Sequence, residues 1–144
     1  MQKFRYLPHT ADMKFRAYGS SFKNAIDNAA LALLNTMLDI RRIGAQAKKV
    51  RLIRISEHAS SDEDLVWFTL QDILSKVDAM KLNAYQFKVR SISRKRGRVA
   101  LEGALICSRS KEDNALLSVK AVTPHGLRII RKPGAVAIDV IVDV

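Results

Sequence analysis

The chain has 144 residues, a length that suits one domain, since independent domains usually run to ~100–150 residues. With 48% apolar and 27% charged residues it has the composition of a folded globular protein and not of a disordered tail. No stretch approaches the ~20 consecutive apolar residues of a membrane span, and one cysteine, Cys107, leaves no internal disulfide framework or cysteine-based zinc cluster.

Twenty-five Lys and Arg against fourteen Asp and Glu leave a net charge of +11. That surplus fits a polyanionic partner such as RNA, DNA or an acidic protein surface, and equally a solvated basic surface. The opening Met1–Tyr6 lacks the apolar core of a signal peptide, so the expected location is the cytoplasm, with no membrane partner.

Met13–Gly19 alternates, with Met13, Phe15 and Ala17 on one side and Lys14 and Arg16 on the other, which predicts a half-buried strand. Phe4-Arg5-Tyr6 is a shorter strand candidate ahead of it. Pro8 makes the connection between them a loop. A helix follows, capped by Ser20 or Ser21, with Phe22, Ala25, Ile26, Ala29, Ala30, Leu33, Leu34, Met37 and Leu38 in one apolar stripe. Asp39 through Gly44 is expected to end it.

Lys48–Ile55 reads as a strand. Ser61-x-x-Asp64 resembles a capping box, and Leu65, Phe68, Leu70, Ile73, Leu74, Val77 and Met80 behind it suit a second buried helix, with Trp67 in the same core. Tyr85–Ile92 and Arg98–Cys107 flank the turn Arg94-Lys95-Arg96-Gly97 as a hairpin. Leu117–Thr123 is a strand stopped by Pro124, Leu127–Arg131 is one more, and Ala135–Val144 is the last. This order predicts an α+β fold, a mixed β-sheet with two α-helices packed on one face, as a single domain over residues 1–144.

No Gly-x-Ser-x-Gly elbow, phosphate loop, His-Glu-x-x-His or EF-hand loop is present. His9 and His125 sit in turn-forming contexts, Pro8–Asp12 and Thr123–Gly126, while His58 is expected in the loop before the second helix. A hydrolase using Asp12 and His9 as an acid–base pair would lack an evident nucleophile. Asp143 lies on a strand otherwise made of Val and Ile, where a charge is costly to bury unless paired or bound to a cation. The carboxylate of Val144 adds a second anion, and Asp12 at the mouth of an early strand would complete an all-oxygen site for a hard cation. The alternative is that Asp143 faces solvent or pairs with an arginine. The basic run Lys88, Arg90, Arg94, Lys95, Arg96 and Arg98 could grip phosphates or remain a solvated turn. Its aromatic neighbours, Tyr85 and Phe87, are too few for base stacking.

At these residues the sequence resembles the archease family. The likeness runs through Phe4-Arg5-Tyr6-Leu7-Pro8-His9-Thr10-Ala11-Asp12 to Gly19, Asn28–Ala32, Leu65–Phe68, Asp72–Leu74, Val119–Thr123 and the terminal Val140–Val144, and covers most of the chain in order. The resemblance implies a non-enzymatic accessory protein of the RtcB-type RNA ligase of tRNA splicing, promoting guanylylation of the ligase histidine and restoring its turnover. Modulation of other nucleic-acid-modifying proteins, a chaperone-like role, is also associated with the family. The resemblance further implies a divalent cation held by Asp12, Asp143 and Val144, calcium first and magnesium or manganese as alternatives. His9, Lys120, Thr123 and His125 then become candidates for orienting that tip or contacting the ligase or a ligase–RNA complex, with tRNA contact open. Two features depart from the family pattern: Pro124 stands where Tyr is usual, and this chain is basic where many relatives are acidic. The competing reading is a stand-alone basic nucleic-acid-binding module.

Overall fold

The computed structural model describes residues 2–9 and 12–144. Two strands open the chain, β1 (Phe4–Leu7) and β2 (Met13–Gly19), and the helix α1 (Phe22–Met37) follows. Of the two candidate serines it is Ser21 whose hydroxyl caps α1, accepting from the Asn24 N–H at 3.2 Å. The apolar stripe is buried as its spacing requires, and alanines 25, 29, 30 and 32 let neighbouring strands come close. Gly19 sits at the tightest approach, where a Cβ would lie 2.3 Å from the Ala25 nitrogen. No other residue fits there.

The segment read as the end of the first helix instead breaks at Leu38 and restarts as a short helix, α2 (Ile40–Gln46), capped by Asp39. Strand β3 (Val50–Ala59) precedes the long helix α3 (Asp62–Met80), whose cap is Ser61, as its Ser-x-x-Asp spacing predicts. The hairpin β4 (Asn83–Lys95) and β5 (Arg98–Ser108) comes next, and β6 (Ala121–Lys132) and β7 (Ala135–Asp143) close the chain.

The α+β class holds, and its layout differs from the sequence expectation in two respects. The strands form two antiparallel sheets, ordered β1-β2-β7-β6 and β3-β5-β4, in place of one mixed sheet. Among the described residues the helices number three, and the two long ones each pack on both sheets: α1 on β2, β7 and β4, and α3 on β3, β5 and β6. One continuous core results, centred on Phe15, Phe87, Ile26, Leu33, Leu70 and Ile138.

Side chains of α3 also complete the exposed edge of β6. The Trp67 indole donates to the Val122 carbonyl at 2.8 Å, and the Gln71 side-chain oxygen accepts from the Val122 N–H at 2.9 Å. An edge strand otherwise leaves such groups unpaired. At the helix start, Asp62 accepts from both Arg94 of β4 and Arg131 of β6, tying the two sheets to one carboxylate. Neither sheet nor helix here is an independent unit.

Candidate functional site

The chain's two ends meet on the β2–β7 ladder. Met13 pairs with Val142, Phe15 with Val140 and Ala17 with Ile138, all turned toward the core. The alternate rows face outward: Arg16 opposite Asp139 and Lys14 opposite Ile141. The last pair of that ladder is Met13 with Val142, so Asp12 and Asp143 are the next residue on each side of it; continued one step, the register would set them across from each other on the outward face. Asp12 is half-buried, Asp143 is exposed, and Val144 is half-buried against the core.

β7 lies between β2 and β6, so Asp143 has a neighbour on each side. Its β6 partner is Ala121, and its carbonyl accepts from the Lys120 N–H at 2.7 Å. Thr123 stands opposite Ile141 on the same face. Register is then lost until Arg128 meets Asp139, so residues 124 to 127 bulge out of the ladder. The sequence reading ended a strand at Pro124 and began another at Leu127. The structure carries β6 through both, starting at Ala121 and not at Leu117. Thr123 Oγ1 accepts from the His125 N–H at 3.1 Å. At Gly126 φ is +79°, and a Cβ there would sit 2.7 Å from Ile141 Cδ1. The bulge thus folds over Ile141, and Gly126 provides both the left-handed turn and the clearance. Lys120, Thr123 and His125 therefore sit beside the Asp12–Asp143 row. His9 is exposed in the connection between β1 and β2; Thr10 and Ala11, part of the opening motif, lie outside the described residues.

Facing carboxylates repel unless a cation lies between them. None of the ion pairs among the described residues engages Asp12 or Asp143. Lys14 and Arg128 direct their charge toward Asp139 instead, where with the Arg16 hydrogen bonds as the main cause they hold its carboxyl below the usual range. No cluster of three or more His, Cys, Asp or Glu side chains suited to a metal occurs among the described residues. The side-chain carboxylates of Asp12 and Asp143 are oxygen donors of the kind a hard divalent cation takes.

The basic run divides. Arg94 is bound to Asp62 at 2.7 and 3.1 Å, and Lys88 lies 3.4 Å from Asp27. Arg90, Lys95, Arg96 and Arg98 remain exposed. His58, expected in a loop, is in β3, with Nδ1 2.7 Å from an Arg98 guanidinium nitrogen.

One perturbed group had no sequence signal. Glu57 of β3 faces α3, and burial, then the charge of Asp72 and a hydrogen bond to it, push its carboxyl up to about 7. A carboxyl raised on folding is ionised less readily in the native state, so its penalty grows as pH rises from ~4.5 to about 7 and is then constant. After allowance for partial solvent screening, Glu57→Gln is expected to stabilise the fold by about 1–2 kcal/mol at pH 8 and by almost nothing at pH 4.5. Chemical denaturation at the two pH values reads this difference.

The described helices include none long and apolar enough to cross a membrane. Residues 4–144 match the model of the Archease protein family (MTH1598/TM1083). The chain belongs to the archease family. It is 27% identical to the protein archease of Methanosarcina mazei over 99% of this chain and 97% of that one. It is 31% identical to that of Pyrococcus furiosus over 92% of each. The solution structure of Methanobacterium thermoautotrophicum protein 1598 superposes with a TM-score of 0.79 at 28% identity, covering both chains fully. A Thermotoga maritima archease, described as a possible chaperone, shares the fold with a TM-score of 0.55 at 20% identity, over 96% of this chain and 94% of that one.

Proposed function

We propose that this protein is a non-enzymatic, cytoplasmic accessory factor that promotes guanylylation and multiple turnover of an RtcB-type RNA ligase in tRNA splicing, through a divalent-cation site at Asp12, Asp143 and the Val144 carboxylate. The observation that carries the reading is the β2–β7 register, whose last pair, Met13 with Val142, leaves Asp12 and Asp143 as its adjoining residues, neither of them in an ion pair among the described residues. Membership of the archease family supports the choice of partner.

A bound divalent ion, calcium before magnesium or manganese, would supply a concentrated positive charge beside the ligase's own metal and nucleotide. The protein's part is to present that charge on a rigid edge. The β2–β7 ladder ends one residue short of Asp12 and Asp143, at Met13 and Val142, and the Lys120 N–H anchors the Asp143 backbone. In this reading His9, Lys120 and the Thr123–His125 turn are the residues that meet the ligase. Electrostatic groups held in place before the reaction contribute without a reorganisation cost.

The test is guanylylation of the cognate ligase by radiolabelled GTP, with and without this protein. The expected result is faster and more complete labelling at substoichiometric protein. Unchanged labelling with a folded protein and a competent ligase would contradict the proposal.

A further inference from the structure

The β3-β5-β4 sheet is covered on one side by the helices, and its other side is open. Across that open side the register sets Arg54, Ala104 and Lys88 in one row, Ser56, Glu102 and Ser91 in the next, and His58, Ala100 and Ser93 in a third. Arg98 and Lys95 pair at the tip. In these rows the central strand presents Ala104, Glu102 and Ala100, and the long cations stand at Arg54, at Lys88 and at the tip.

Charge on this face is one-sided. Glu57 and Glu102 are the only acidic residues of the three strands, and Glu57 faces α3. Glu102 is consumed by Arg54, which donates to it twice at 3.0 Å, and by Ser56 at 2.7 Å. Arg90, the extra residue of the bulge between Val89 and Ser91, also lies near enough to act on Glu102. Arg90, Lys95, Arg96 and Arg98 are not matched by a carboxylate among the described residues. Between Arg98 and Ala104 the strand runs ~20 Å, enough to follow several phosphates of one backbone.

We propose that this open face binds the phosphate backbone of a base-paired RNA stem, through Arg90, Lys95, Arg96 and Arg98, with Arg54 and Lys88 on its flanks. Tyr85 and Phe87, the aromatics of β4, are half-buried and buried, so the face offers no platform for stacking unpaired bases and suits recognition by shape and charge. A second copy of the chain is disfavoured by like charge. Exposed apolar residues help to anchor a chain on an anionic membrane; on this face the large ones are Val50 and Leu52, at the end away from the tip that carries Lys95 and Arg98. The choice of RNA over other helical polyanions rests on the ligase reading above; the electrostatic argument stands without it.

The experiment measures fluorescence anisotropy of a labelled RNA hairpin of about 16 base pairs, with the full chain alone, in chelator and without ligase. Its failure is thereby separate from failure of the guanylylation assay, which needs no RNA. Binding is expected to weaken with salt, with log K against log salt falling at a slope of about −3 to −4 for roughly four phosphate contacts. The triple variant Arg90→Ser, Lys95→Ser, Arg98→Ser should bind at least ~10-fold more weakly, with a slope reduced by about 2–3. A control carrying Arg5→Ser, Arg41→Ser and Lys132→Ser loses the same charge elsewhere and should weaken binding less than ~3-fold. All six positions are exposed, and circular dichroism verifies the fold of both variants. Equal losses in the two variants, no binding by the parent chain, or tighter binding to anionic lipid vesicles than to the hairpin would overturn the proposal.

Discussion

Asp12→Ala is expected to abolish the protein's rescue of multiple-turnover RNA ligation while leaving its fold intact. Asp12 precedes β2 by one residue, just before its first paired residue, Met13, and makes no ion pair among the described residues. Its loss therefore removes no ion pair and no ladder partner of β2. Under the proposed function it removes one of only three anionic oxygen donors. Disturbing an outer partner of a metal ligand already costs ~10–100-fold in affinity or activity, so deleting a ligand should exceed that range. Steady-state ligation under excess RNA, with the variant's melting curve recorded alongside, checks both halves. Full rescue by a folded Asp12→Ala protein would remove the carboxylate from the account.

Arg16→Ala is expected to destabilise the fold by about 3 kcal/mol, the low end for breaking a buried ion pair. Asp139 is 1% exposed and sits on the central strand β7, bound by Arg16 at 2.6 and 2.9 Å. Removing the guanidinium strands the carboxylate, which Lys14 and Arg128 relieve only in part. Replacing both partners by apolar residues, Arg16→Leu with Asp139→Val, should recover most of the loss, since the penalty belongs to the unpaired charge. The pair also sets a direction in acid. Asp139 is more acidic folded than unfolded, so its contribution is present above the unfolded carboxyl value of ~3.9 and is lost as pH falls through the lower folded value. Urea melts of the parent chain should thus weaken below pH 4, and those of Arg16→Ala should show less of that acid dependence.

What the sequence disclosed follows from the range of the interactions involved. Ser21 and Ser61 act on residues three positions away, and the stripes of α1 and α3 repeat every turn, so both helices were legible in local spacing. Alternation likewise placed β2. The pairing of strands into two sheets was not legible, because β3 meets β5 across some fifty residues and no local pattern records that choice. Gly44 read as a stop, yet it lies within α2 with its face against the Tyr85 ring, a contact only the folded chain reveals. Pro124 read as a terminus for the same reason: its strand survives it by bulging over Ile141.

The site shows the same division. The residue types at Asp12 and Asp143 suggest oxygen donors, and the β2–β7 register brings the strand ends next to them, Met13 and Val142, together. The basic hairpin was visible as a charge run, but the run could not distinguish Arg94, spent on Asp62, from Arg98, left outward. Asp139 had no visible partner, since Arg16 is 123 positions away. Glu57 became unusual only through the approach of α3.

Calcium titration followed by calorimetry, on the chelator-treated chain and on Asp143→Asn, probes the joined ends most directly. One saturable site per chain, lost or severely weakened in the variant and accompanied by a calcium-dependent rise in melting temperature of the parent alone, is the predicted outcome. Heat that never saturates, or equal affinity in the two proteins, would contradict a cation held between the first strands and the last residues.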